Sequence, residues 1–262
     1  MLAQRVASGV VGVPLILGVI YLGGNWYAAT VAAALATASI EFNHARRSWL
    51  APVSVLAALL VAGVAAGAHR GDAAWYAWIG AALIIAPLAA ALNPTEDGAV
   101  GDALWMAGGV TYVGVLGSFL VLLRDVDPDG RSWVYVAVLA TFAADTAAFF
   151  SGRAVGRRLL APSISPKKTW EGLFGGWAAG FAAVLALGYA FDLGVAAWKL
   201  SLLGLLLPLA AALGDLAESA MKRRMHIKDA SDLIPGHGGV LDRLDSILFT
   251  VALVYVFTQV VL

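Results

Sequence analysis

Residues 219–246 read SAMKRRMHIKDASDLIPGHGGVLDRLDS and bring together Lys222, Arg223, Arg224, Lys228, Asp229, Asp232, His237, Asp242, Arg243 and Asp245. The rest of the chain is largely lipid-like: 61% of its 262 residues are hydrophobic, 13% are charged, and the mean hydropathy is +0.83. A soluble domain carries about 25% charged residues, and a globule this apolar would lack the polar surface to cover itself. The chain is therefore read as an all-α, polytopic integral membrane protein. A lone Asp, Lys or Arg at a bilayer centre costs about 2.5–3.5 kcal/mol on insertion scales, so the cluster belongs at the membrane surface or in a wet cavity. Intramembrane or juxtamembrane charge of this density marks a functional site.

Outward from that stretch, apolar runs long enough to cross about 30 Å of hydrocarbon occur near 6–23, 26–43, 51–68, 74–92, 103–123, 133–150, 172–192, 196–213 and 244–262. They are continuously apolar rather than alternating, which excludes β-barrel strands. The first lacks a small-residue cleavage site followed by a soluble region and is read as an uncleaved anchor. Nine spans place the termini on opposite sides. With the N-terminus in the cytosol, thirteen of the 17 basic residues face inward, among them Arg5, Arg46, Arg47, Arg153, Lys167, Lys168 and Lys222; Arg70, Arg124, Arg131 and Lys199 face outward. The excess of inward Lys and Arg selects this orientation. Trp26, Trp75, Trp78, Trp105, Trp133 and Trp170 fall near span ends and are expected as interfacial anchors. Residues 1–130, spans one to five, are read as scaffold, and 131–262, spans six to nine, as the region that carries the two polar loops.

The formal net charge is 0, so the global balance names no partner. The absence of cysteine removes disulfides, thiol nucleophiles and thiolate metal sites. Two polar loops, 151–171 and 214–243, carry the chemistry. In the first, Asp145, Phe149 and Gly152 share one helical face by spacing, and five bases from Arg153 to Lys168 stand without an acid among them. Pro166 and Thr169 read as helix starters, and a helix N-terminus offers free N–H groups to an anion. A loop made basic only to set topology is the alternative.

In the second loop, Asp215, Ser219 and Lys222 recur on one side of a helix leaving the eighth span. Lys222, Arg223, Arg224 and Lys228 suit phosphate, Arg as a planar fork and Lys as a point charge. Pro235-Gly236-His237-Gly238-Gly239 cannot be regular helix throughout. Asp242 and Asp245 stand three apart at the start of the last span, a spacing that lets two carboxylates share a cation. Between 215 and 246 there are six acids and five bases, a near-neutral mixture that would repel an anionic nucleotide if the carboxylates were bare. Hard oxygen donors beside phosphates point to Mg²⁺, and scattered histidines without cysteine argue against Zn²⁺. His237 is read as a phosphate contact rather than a general base, because a phosphate nucleophile is already ionised. His226 is assigned to an outer helix face.

At these residues the chain resembles the phosphatidate cytidylyltransferases, also called CDP-diacylglycerol synthases. Their S-x-x-K-R, K-D, P-G-H-G-G and D-R-x-D signature is met by Ser219, Lys222, Arg223, Lys228, Asp229, Pro235 to Gly239, Asp242, Arg243 and Asp245. The D-T-x-A-[YF]-F-x-G and S-P-K-K-T-x-E-G segments match at Asp145 to Gly152 and Ser165 to Gly172, with Phe149 where Tyr is also common. Residues 1–130 match only in hydropathy and in details such as Arg5, Pro14 and Glu41-Phe42. The resemblance implies that CTP and phosphatidate give CDP-diacylglycerol and pyrophosphate, with Mg²⁺ and a monovalent cation such as K⁺. It further implies a homodimer, with its contacts in residues 1–130, in the inner (plasma) membrane among membrane lipids, its active site open to the cytosol and the inner leaflet; the nine spans put the C-terminus outside, and no nucleic-acid partner is expected.

Carried over by position, the resemblance gives Asp215, Asp242 and Asp245 the metals. It gives Ser219, Lys222, Arg223, Lys228 and His237 the triphosphate or lipid phosphate. Ser165, Lys167, Lys168 and Thr169 would form the substrate cavity with Asp145 in support, and Asp229, Gly238, Gly239 and Arg243 join the substrate-binding set. A different CTP-using lipid kinase of the membrane, and from another class an anion transporter, are the rival readings.

Overall fold

A computed structural model describes residues 2–225, 227, 230, 231, 233, 234 and 238–262, and the side chains from residue 10 onward within that set. His226, Lys228, Asp229, Pro235, Gly236 and His237, together with the Arg5 side chain, lie outside the described residues. The elements are α1 (Leu2–Leu22), α2 (Gly24–His44), α3 (Pro52–Arg70), α4 (Asp72–Leu92), α5 (Gly98–Gly109), α6 (Leu116–Arg124) and α7 (Gly130–Val155). The strands β1 (Leu159–Ala161) and β2 (Ser165–Thr169) follow, then α8 (Trp170–Ala190), α9 (Ala197–Arg224) and α10 (Leu241–Val260). A π-helical turn, Val110–Val115, joins α5 to α6. The protein is an all-α, multi-pass membrane protein.

Each of the nine apolar runs forms helix, but the described residues contain seven helices long and apolar enough to cross a membrane: α3, α4, the continuous Gly98–Arg124, and α7 to α10. The described apolar part of α1 is only Val10–Leu22. In α2 the apolar run is diluted where Ser39, Glu41 and Asn43 are buried near its end. The nine-span count therefore does not follow from the helices alone.

The chain packs as two compact units, Met1–Asp125 with Asp229–Leu244, and Val126–Lys228 with Asp245–Leu262. In lipid, where apolar burial no longer drives helices together, close backbone approach and interhelical hydrogen bonds carry association. The first unit centres on Leu35, Val61, Val64, Val113 and Leu123, all buried. Its polar ties are Tyr27 Oη to the Leu120 carbonyl (3.1 Å) and Trp75 Nε1 to Ser118 Oγ (3.0 Å). At one end, buried Asp102 accepts from Arg47 Nη2 (3.0 Å) and from the Thr95 hydroxyl (2.9 Å).

In the second unit, Thr141 Oγ1 of α7 donates to Thr250 Oγ1 of α10 at 2.9 Å, a bond of the kind that contributes about 0.6 kcal/mol between membrane helices. Gly176 of α8 faces Ala144 and Ala148 of α7 closely enough to leave no room for a Cβ.

Some local expectations change. The helix of the sixth run does not end near residue 150 but continues through Arg153 to Val155, which leaves Asp145 ten residues before its end. Pro166 starts no helix: it belongs to β2, which pairs antiparallel with β1. Thr169 does cap α8, accepting from Gly172 N at 3.1 Å. Among the tryptophans, Trp26 is exposed, but Trp133 is 2% exposed and packs its ring 6.0 Å from Phe257. Trp105 stacks on Phe42 at 4.2 Å. Nearness to a span end does not make a Trp an anchor when a neighbouring helix offers a tighter face.

Candidate active site

Two motifs far apart in sequence meet in the second unit. Lys168 of β2 places its Nζ 2.7 Å from Asp215 Oδ2 on α9. Asp215 Oδ1 accepts from the Ser219 hydroxyl one turn on, at 3.3 Å, as the helical spacing required. A second tie joins the same elements, with Arg223 Nε donating to the Ile164 carbonyl at 3.1 Å. The hairpin is held from its other side by Glu171, whose Oε2 accepts from Arg157 N (3.0 Å) and Arg158 N (3.2 Å). The short hairpin thus presents Ser165, Lys167 and Lys168 beside α9, with Lys167 exposed and Lys168 half-buried.

Asp245 enters the same cluster from α10. Its Oδ1 accepts from Ser246 N at 2.7 Å, and its carboxylate is in electrostatic range of Asp215 and Asp145, with Lys222 opposing them. The approach is possible because residue 214 is glycine: a Cβ there would run into the Asp245 carbonyl and come 3.1 Å from Ser246 Cα. Lys168 on Asp215 and Lys222 near Asp245 offset part of the repulsion between these carboxylates. Lys222 Nζ also pairs with Glu218 Oε2 at 2.6 Å, and Glu218 is buried. Phosphate binding by Lys222 would therefore compete with an internal partner.

In the first unit, the end of the polar loop is clasped by two carboxylates. Asp242, in the first turn of α10, accepts from Gly239 N (2.7 Å) and from Ala230 N (3.1 Å to Oδ2). Glu41 of α2, 1% exposed, accepts from the Ser231 hydroxyl (2.6 Å), Val240 N (3.0 Å) and Leu241 N (2.7 Å). Hydrogen bonds to a charged group of this kind contribute about 1.5–3 kcal/mol each. These carboxylates explain the glycine pair. Gly238 has φ +79°, and its Cβ would fall 2.6 Å from Asp242 Oδ2; a Cβ on Gly239 would fall 2.7 Å from Glu41 Oε2. Arg243 is exposed and turns on Val240 through its backbone.

The structure brings together Asp145, Lys168, Asp215, Ser219, Lys222 and Asp245, and in the other unit Gly238, Gly239 and Asp242. Lys228, Asp229 and His237 lie outside the described residues. Glu41 was missed as a site residue. The available signal was a lone carboxylate inside an apolar run, which is costly there and so rarely without a role.

Among the described residues no three His, Cys, Asp or Glu side chains gather into a metal-holding group. Mg²⁺ does not require one: it keeps several waters and binds through one or two carboxylates plus substrate phosphates. The neighbouring carboxylates of Asp215 and Asp245 are oxygen donors of that kind, so the donor set fits.

A multi-pass membrane protein with paired carboxylates, lysines and a glycine-rich loop at its polar segments has the make-up of a phosphate-handling membrane enzyme. Residues 3–261 match the model of the cytidylyltransferase family, and the chain belongs to that family. It is 42% identical over 153 residues to a phosphatidate cytidylyltransferase of Brucella suis, covering 58% of this chain and 56% of that protein. It thus spans little more than half the length of the Brucella relatives it matches. Longer matches reach the phosphatidate cytidylyltransferases of Synechocystis (34% identical over 295 residues, 100% and 98% of the two chains) and Pseudomonas aeruginosa (36% over 265, 94% and 93%).

Proposed function

We propose that the chain is a phosphatidate cytidylyltransferase of the bacterial inner membrane, converting CTP and phosphatidate to CDP-diacylglycerol and pyrophosphate. The observation that carries this reading is the meeting of Lys168 with Asp215 beside Asp245, which joins two separate phosphate-type motifs into one acid–base cluster. Membership of the cytidylyltransferase family supports the same activity.

In the proposed mechanism an oxygen of the phosphatidate phosphate attacks the α-phosphorus of CTP in line. A P–O bond to the lipid phosphate forms, the bond from the α-phosphorus to the bridging oxygen breaks, and pyrophosphate leaves with that electron pair. No proton need be removed from the nucleophile. Lys168, Lys222, Arg223 and Lys228 would hold and orient the phosphates, and the spread negative charge makes positioning and electrostatics the main source of rate. Lys168 would exchange Asp215 for a substrate phosphate oxygen as the nucleotide enters. Ser219 would orient Asp215, while Asp145 would sustain the field that draws a cation. Asp242 and Glu41 would hold the loop of Gly238 and Gly239 in place by accepting from its backbone amides, with His237 as a phosphate contact. Mg²⁺ held by Asp215 and Asp245 would supply charge neutralisation on the phosphate oxygens, while Asp242, expected from the resemblance as a third ligand, serves in the structure as an acceptor for the Ala230 and Gly239 amides. The weight of Lys and Arg in the polar loops supports a cytoplasmic site and N-terminus, and the enzyme is proposed to act as a homodimer.

Purified protein in mixed micelles is expected to release pyrophosphate only when CTP, phosphatidate and Mg²⁺ are all present, without any membrane gradient. An Asp242→Asn variant should lose at least about 10²-fold, the scale for removing one preorganised electrostatic partner. Folded protein that releases no pyrophosphate from these substrates would overturn the proposal.

A further inference from the structure

We infer that Glu41, in the N-terminal half of the chain, is a positioning residue for the proposed phosphate-handling loop; the inference rests on the cytidylyltransferase reading of that loop. Glu41 is the one carboxylate of α2 and is buried, and it reaches both ends of the segment between Ser231 and Leu241. Oε1 takes the Ser231 hydroxyl at 2.6 Å and Val240 N at 3.0 Å, while Oε2 takes Leu241 N at 2.7 Å. Val240 stands nine positions after Ser231, and one oxygen ties them. The same segment is pinned again by Asp242, through Ala230 N and Gly239 N, and by Ile234 N to the Gly238 carbonyl at 2.8 Å.

Val240 N and Leu241 N are among the first N–H groups of α10, which have no partner within the helix and need one from outside. Glu41 supplies it from a helix about 200 residues earlier in sequence. Its negative charge also complements the positive end of the helix dipole. Space around the carboxylate is used up: a Cβ on Gly239 would stand 2.7 Å from Oε2 and 2.8 Å from Oε1. A glycine at 239 is therefore required by Glu41 as much as by any ligand. Glu41 touches no reacting atom in this account. It acts through the loop, and its loss would leave the loop's phosphate contacts misplaced rather than absent.

Glu41→Gln is the sharp test. The amide keeps the size but turns one acceptor oxygen into an NH₂ group, which must face an N–H or O–H donor. Wild type and variant would be compared in micelles by pyrophosphate release and by hydrogen exchange of the 238–244 peptide. The expected result is a fall in kcat of about 10²-fold, the cost of small misplacement of a reacting geometry. Exchange should quicken at the Val240 and Leu241 amides, with protection in α7 unchanged. Glu41→Asp, which keeps the charge on a shorter arm, should recover part of the rate.

If wild type itself makes no pyrophosphate, the functional reading fails and the exchange data alone still judge the clasp. If wild type turns over and Glu41→Gln stays within twofold, or loses activity with exchange at 240–241 unchanged, the positioning role is wrong. Should Glu41→Gln not fold, Ser231→Ala removes one of the three donors. It should then show quicker exchange at 238–241 and a three- to tenfold lower kcat; an unchanged rate there would overturn the inference.

Discussion

Asp245→Asn is expected to lower pyrophosphate release by about 10³-fold while leaving the protein at least as stable as wild type. The first half follows from losing one of two neighbouring carboxylates proposed to neutralise phosphate charge; removal of one such preorganised electrostatic group costs about 10²–10³-fold. The second half follows from the company Asp245 keeps. Burial makes its charge costly first of all, Asp215 and Asp145 add repulsion, and the Ser246 N–H and Lys222 oppose them. Asn keeps the oxygen that accepts from Ser246 N and removes the repelled charge. Strain of this kind, tolerated for function and relieved by a neutral substitution, is the usual trade between stability and activity. Thermal unfolding in detergent, followed by tryptophan fluorescence beside the activity assay, checks both halves. A variant with a lower Tm, or with activity within tenfold of wild type, contradicts this account of the cluster.

Gly214→Leu should abolish turnover through packing alone. The α9 backbone at Gly214 touches the α10 backbone at Asp245 and Ser246, and no side chain can stand between them. Leucine would drive the two helices apart and carry Asp215 away from Asp245. Gly214→Ala is the graded version: overpacking costs about 1–3 kcal/mol, and the Mg²⁺ needed for half-maximal rate should rise about tenfold. Gly80→Ala in α4, where a Cβ would meet nothing within 4 Å, is the control and should leave the rate and the Mg²⁺ requirement unchanged without lowering stability. If Gly214→Ala leaves the Mg²⁺ requirement unaltered, the close approach of the helices does not set the carboxylate pair.

Much of this arrangement was legible in sequence because it is local. Asp215 and Ser219 share a helix face by their spacing, and their hydrogen bond follows. Thr169 reads as a cap from its position before an apolar run. Other features depend on tertiary placement, which periodicity does not carry. Lys168 and Asp215 are 47 residues apart and meet only because a hairpin folds against α9. The strand β1 has three residues, too few for alternation to register, and Pro166 in β2 imitates a helix start. Trp133 looked like an anchor by position, yet it is covered within its own unit. Glu41 is the instructive miss. Its charge stood out in an apolar run, but its partners lie about 200 residues downstream in a loop that shows no helical or strand period.

The most direct test of the central claim is the fate of each CTP phosphorus. Purified protein, phosphatidate and Mg²⁺ would be incubated with CTP labelled at the α- or at the γ-phosphorus, and lipid and aqueous products separated. Transfer of the cytidylyl group puts α-label in the lipid and γ-label in pyrophosphate, in equal amounts. Gamma-label in the lipid would make the protein a lipid kinase, and label in neither product from active, folded protein would contradict the cytidylyltransferase reading altogether.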